Sequence, residues 1–214
     1  YYTQRTAVVS ITERTNHFSE ADAVRGISVT ATNADGRIVN NAFSVSEWTT
    51  VEGTAPDDAI HTATVTFAAD ANYKVGYSYI DKAGNVNTPV NVDGQANSYE
   101  FTVDTTAPLG TVTARSAEGR EETWSSVVDL LTFGFWSNSK ISINSESADA
   151  TSPIMSIDYY MSVSENAGDR IVVMTKAELD AVDAWKPFSP FDVTENAQFT
   201  VYLRIIDCAG NYAY

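Results

Sequence analysis

Residues 70–85 read DANYKVGYSYIDKAGN, and residues 196–211 read NAQFTVYLRIIDCAGN. At an offset of 126, seven of these sixteen positions are identical: Ala71/Ala197, Val75/Val201, Ile80/Ile206, Asp81/Asp207, Ala83/Ala209, Gly84/Gly210 and Asn85/Asn211. The substitutions keep the pattern. Tyr73, Val75, Tyr77 and Tyr79 alternate in the first copy, and Phe199, Val201, Leu203 and Ile205 in the second. Successive side chains of a strand point to opposite faces, so this alternation predicts a half-buried strand in each copy. Each strand runs into Asp-x-Ala-Gly-Asn, a polar, glycine-bearing sequence suited to a sharp exit. The repeat predicts two units of one kind.

Working outward, the same period recurs at Ala7/Val9/Ile11, Ile27/Val29/Ala31, Phe43/Val45, Ala63/Val65/Phe67 and Tyr99/Phe101/Val103. Turn signals separate these runs: Asp35-Gly36, Gly53-Thr54-Ala55-Pro56, Asp70-Ala71-Asn72 and Asp93-Gly94. Short strands at this density, with no strong helix signal, predict a sandwich over residues 1–106. Tyr73 opens the longest strand three residues after Asp70, a place from which a tyrosine hydroxyl bonds back to the preceding turn. Phe199, its counterpart, has no hydroxyl with which to do so.

Asp104-Thr105-Thr106-Ala107-Pro108 is a polar run ending in proline, which predicts an extended, stiff connection. The second unit, residues 107–214, is less regular. Strands are expected at 110–115, 139–145, 154–162, 170–174 and 198–206. One short helix is expected after the capping box Thr175-Lys-Ala-Glu178, with Leu179, Val182 and Trp185 following and Pro187 ending it. Residues 116–138 are aromatic and receive no assignment. The fold class is thus all-β: two tandem immunoglobulin-like β-sandwiches, the second divergent and with one short helix inserted. In the first copy the chain runs from Asn85 to Asp104 through a closing strand at 99–105, whereas in the second it reaches Tyr214 three residues after Asn211. The second unit is therefore expected to be truncated before its last strand. Its edge should be open, or covered by a neighbour or by a strand not evident in the sequence.

Composition bounds function. The net charge of −15 is spread evenly, 13 acids and 6 bases over residues 1–107 against 15 and 7 over 108–214, which argues against a nucleic-acid partner. No apolar run is long enough to insert in a membrane. One cysteine, Cys208, rules out an internal disulfide. For a secreted protein that fits a bacterial exterior better than an animal one, and it is equally compatible with a cytosol.

The strand ending in Asp-Lys-Ala-Gly-Asn at 81–85, followed by Val103-Asp104-Thr105-Thr106-Ala107-Pro108, resembles the bacterial Ig-like repeats of large Gram-positive cell-surface proteins. Val8-Val9-Ser10-Ile11-Thr12-Glu13 with Asn16-His17-Phe18 is similar to the opening of those repeats. The likeness runs along nearly all of the first unit, and in the second through 154–162 and 198–211. The resemblance implies an extracellular, cell-surface or cell-wall-associated parent. It implies spacer or adhesive modules that bind a host glycan or surface protein and adjoin neighbouring modules of the same polypeptide. The alternative is a pair of accessory modules, ancillary or carbohydrate-binding, of a secreted multidomain enzyme.

No nucleophile elbow, metal-ligand pair or phosphate-binding glycine loop occurs, so no catalysis and no cofactor is expected. Asp57, Asp58, Asp70, Asp81 and Asp104 lie near turns, but none has the spacing of a calcium loop. Asp81 and Asp207 are instead expected to cap their own turns, with no metal bound. The sharper expectation is a glycan stacked on exposed rings, against the more common alternative that these rings pack in the core of a larger unit. Trp124, Trp136 and Tyr160 are the candidate ligand-binding residues, with Trp185 and Tyr159 as further material. Tyr159 and Tyr160 must face opposite sides of one strand, so one of them faces outward.

Overall fold

The computed structural model describes residues 1–54, 59–87, 98–116, 121–125, 131–133, 140–164, 173–194 and 198–214. Among these, secondary structure is almost all strand, with two short helices. The chain divides into two compact units, Tyr1–Thr105 and Thr106–Tyr214.

The first unit contains β1 (Arg5–Thr12), α1 (Glu20–Arg25), β2 (Ile27–Thr32), β3 (Phe43–Val45), β4 (Thr49–Val51), β5 (Ile60–Phe67), β6 (Ala71–Tyr77), β7 (Tyr79–Ile80), β8 (Val86–Asn87) and β9 (Ser98–Val103). One sheet has β5 at its centre, with β1 on one side and β3 and β4 on the other. A second has β6 between β2 and β9, all antiparallel. The two sheets share one core. Val65 and Phe67 of β5 pack with Ala71 and Tyr73 of β6 and with Val103 of β9, while Val29 and Phe101 close around them. The alternation read from the sequence is what allows this, because each strand turns its apolar side inward. The Tyr73 hydroxyl lies 2.6 Å from the Ala42 carbonyl and 2.8 Å from that of Ala69, where its single proton is shared. Burial raises its pKa.

The helix α1 was not expected. Ser19 caps it, its Oγ accepting from the Asp22 N–H. Glu20 and Asp22 occupy the first turn and Arg25 the last, as the helix dipole favours. Ala23 is wholly buried with Ile11 and Tyr79, and the Tyr79 hydroxyl accepts from the Ser19 N–H at 3.0 Å. Six residues with a single buried side chain leave almost no periodic signal.

The second unit contains β10 (Leu109–Ser116), β11 (Glu121–Ser125), β12 (Leu131–Phe133), β13 (Ile141–Ala148), β14 (Ile154–Ser164), α2 (Lys176–Asp180), β15 (Lys186–Pro187), β16 (Phe191–Val193), β17 (Gln198–Asp207) and β18 (Tyr212–Ala213). One sheet runs β11-β10-β13-β16, the other β12-β17-β14-β15, with β18 also on β17. Ile141, Ile143, Val193, Phe199 and Val201 form the core between them. The capping box at Thr175 and Glu178 is present, but the helix ends at the Ala181 cap, so Trp185 lies beyond it. Val173 and Met174 are not strand, and 170–172 lie outside the described residues.

Residue by residue, the register repeats between units. Tyr79 pairs with Asn87 and Ile80 with Val86; at the same offset of 126, Ile205 pairs with Ala213 and Ile206 with Tyr212. Val29 stands opposite Val75 in β6, and Met161 opposite Val201 in β17. The flank of β17 expected to be open is not bare. There β12 puts Phe133 opposite Phe199 and Leu131 opposite Val201, where β9 puts Phe101 opposite Tyr73 and Tyr99 opposite Val75. The substitute strand has three residues against six. It comes from the stretch that received no assignment, earlier in the chain than its counterpart.

Candidate functional site

Both copies of Asp-x-Ala-Gly-Asn form the same closed ring of hydrogen bonds. The Asp81 N–H donates to the Asn85 carbonyl and the Gly84 N–H to the Asp81 carbonyl, both at 3.0 Å; the equivalent bonds at Asp207 are 3.0 and 3.2 Å. Asp81 Oδ1 accepts from the Asn85 N–H and Oδ2 from its carboxamide, each at 2.7 Å. Asp207 accepts the same two bonds from Asn211 at 2.9 Å, and a third from the Ala209 N–H at 2.8 Å. Gly84 and Gly210 have φ of 88° and 91°, a region where a side chain is strained. Each of these residues has a place in the turn: aspartate accepts, glycine bends, asparagine closes. Asp81 and Asp207 cap their turns as expected.

The two turns differ in what lies around them. In the second unit Tyr159 points into the core, stacked on Phe191 at 4.7 Å. Tyr160 is the outward one. It meets Trp185 edge-on at 6.1 Å and lies parallel to Tyr202 at 6.2 Å. Trp185 stacks on Tyr214 at 5.6 Å, and Tyr214 meets Tyr212 edge-on at 5.6 Å. The result is a continuous band of five rings on the outer face of the β14–β17 sheet, reaching the residue that follows Asn211. Its members come from β14, β17, β18, the residue after β18 and the segment after α2, which is why sequence spacing does not reveal it. Trp136 lies outside the described residues, and Trp124 is placed only by its position in β11, opposite Val112.

Charged groups are fixed along the band. Arg204 lies 4.8 Å over the Trp185 ring and donates to Asp158 at 2.8 Å. Lys176 lies 4.1 Å over Tyr212 and donates to its hydroxyl at 2.7 Å. Asp180 Oδ1 accepts from the hydroxyls of Tyr214 at 2.7 Å and Tyr212 at 3.1 Å. The bond from Tyr214 is the main reason the Asp180 carboxyl sits below its ordinary value; the bond from Lys176 to Tyr212 is the main reason the ammonium sits above its own. Burial, then the bond to Asp180, raises Tyr214. Among the described residues, Trp185 Nε1 is buried without a hydrogen-bond partner. Tyr212 is the open end of the band, 42% exposed.

Compared against protein families and against curated proteins, the chain matches none of them. No described helix is long and apolar enough to cross a membrane.

Proposed function

We propose that the chain is a pair of tandem immunoglobulin-like sandwiches from a bacterial cell-surface or secreted protein. In this reading it is non-catalytic, serves as a spacer, and binds carbohydrate on the aromatic band of the second unit. The observation that carries the proposal is the exposed ring of Tyr212, continuous with Tyr214 and Trp185 and edged by a fixed ammonium, hydroxyl and carboxylate. Sugars present apolar C–H faces ringed by hydroxyls. Rings with oriented polar groups at their edge match that chemistry. A neutral sugar fits best, because Lys176 and Arg204 are already paired with Asp180 and Asp158 and the net charge of −15 repels acidic glycans.

The test is binding of the whole chain to neutral and sialylated oligosaccharides on an array, followed by calorimetry. Neutral oligosaccharides should bind, and Tyr212→Ala should weaken them at least 10-fold. Tyr99→Ala removes a ring of similar exposure in the first unit and should change nothing. A blank array, or affinity unmoved by Tyr212→Ala, refutes the reading.

A further inference from the structure

In the first unit the turn borders a cleft of about 350 Å³, lined among others by Glu13, Tyr77, Tyr79, Asp81 and Asn85. The Tyr77 hydroxyl in this lining is buried and has no hydrogen-bond partner. Beside the cleft, one ligand-capable atom each of Glu13, His17 and Asp81 lie within 4.8 Å of one another. His17 Nδ1 is 3.7 Å from Glu13 Oε1.

The chain has two histidines, and they differ in availability. His61 is wholly buried and stacked on Phe18 at 3.8 Å. Its Nδ1 lies 2.8 Å from Thr50 Oγ1 and its Nε2 3.3 Å from the Glu13 carbonyl, so both nitrogens are engaged. Among the described residues, the His17 ring has the Glu13 carboxylate as its one ion-pair partner. Its loop is nonetheless held in place, since the Lys82 N–H donates to the His17 carbonyl at 3.0 Å and ties it to the turn that carries Asp81. Glu13 is tied in turn through its own N–H to the Ala59 carbonyl at 3.0 Å. Both bonds from Asn85 orient the Asp81 carboxylate, as outer bonds orient carboxylates that hold metals.

We infer that Glu13, His17 and Asp81 form a binding site for a divalent transition metal of the zinc class. One imidazole nitrogen and two carboxylates suit zinc and its neighbours, whereas calcium takes six to eight oxygens. Ligand atoms around tetrahedral zinc stand about 3.4 Å apart, so the observed separations need only a small closure of side chains. A dication also offsets two carboxylates held close together. Three protein ligands leave a coordination position for water or for a group entering the cleft.

The test uses the whole chain. Cobalt(II) should give visible d–d absorption, zinc should bind by calorimetry at micromolar concentration, and the His17 ring resonances should shift while those of His61 do not. His17→Gln and Glu13→Gln should each weaken zinc at least 10-fold, with circular dichroism confirming that both variants fold. Asp207→Asn, in the other turn, should leave zinc affinity unchanged. No zinc binding below millimolar concentration, or affinity unmoved by both Gln variants, overturns the proposal. So does stabilisation by calcium with no response to zinc, because the donors would then be oxygens alone.

Discussion

Asp81 and Asp207 receive the same bonds from Asn85 and Asn211, yet the strands leading to them treat their outward sides differently. Lys74 of β6 and Ile80 of β7 face water, and Lys74 pairs with Glu100 on the surface. At the equivalent places on β17, Thr200 is buried and Ile206 half-buried, while Tyr202 between them is the buried member of the band. The difference comes from one excursion. Residues 173–187, with the helix α2 and Trp185, lie against the β17 sheet, where Tyr202 accepts from the Met174 N–H at 3.1 Å. An identical turn therefore says nothing about the surface beside it. Val86 follows the turn in one unit and Tyr212 in the other, and that position leads to a cleft or to a ring band.

The comparison breaks most visibly at the aspartates. Asp207 is fully buried and accepts three bonds, so Asp207→Ala should lower the stability of the second unit by about 3 kcal/mol. Hydrogen exchange should show the loss confined to that unit, and Asp81→Ala should do the same in the first. A loss spread over both units for either variant would mean that the turns are not local devices.

The glycines sharpen the equivalence. A Cβ at Gly84 or Gly210 meets no atom within 4 Å, so only the positive φ opposes alanine. Gly84→Ala and Gly210→Ala should each cost about 1–2 kcal/mol in urea unfolding. Unequal costs would show that the second turn is constrained by the band beside it.

The smallest effect is in pH. The Asp81 carboxyl is held below its ordinary value, first by the Asn85 carboxamide and then by the Asn85 N–H. A carboxyl lowered on folding stabilises fully above its unfolded value, near about 3.9, and that contribution is lost as pH falls through the folded value. The melting temperature of the first unit should therefore hold at pH 5 and fall below about pH 4, with a shallower fall in Asp81→Asn. In the second unit the lowered carboxyls among the described residues include Glu178, Asp180 and Asp192, so the melting temperature of that unit should also fall in acid.

Legibility followed periodicity. The strands β6 and β17 were plain because seven or more residues alternate against one core. The cap of α2 was plain because Thr175 and Glu178 stand three apart, but the helix was read too long, because Val182 and Trp185 mimic a continued face. Parity alone required one of Tyr159 and Tyr160 to face outward, and packing of Tyr159 in the core makes Tyr160 that one. Its partners were not legible: Tyr202 and Tyr212 belong to other strands and Tyr214 follows the last of them, and only pairing register brings them together. Likewise His17 gave no signal at the sequence level, since Asp81 lies 64 residues away. The place of β12 could not be read from three residues.

Chain order adds a consequence for biosynthesis. In the first unit the middle strand β6 is made after β2 and before β9, so its sheet grows outward from a pair. In the second, β12 and β14 both precede β17, the strand that joins them. As synthesis proceeds from the N-terminus, β14 and β12 wait with unpaired backbone until β17 emerges, and a strand edge left waiting is open to the wrong partner. Of the two sheets built round the repeated strand, the one around β17 is the one whose nascent chain most needs shielding.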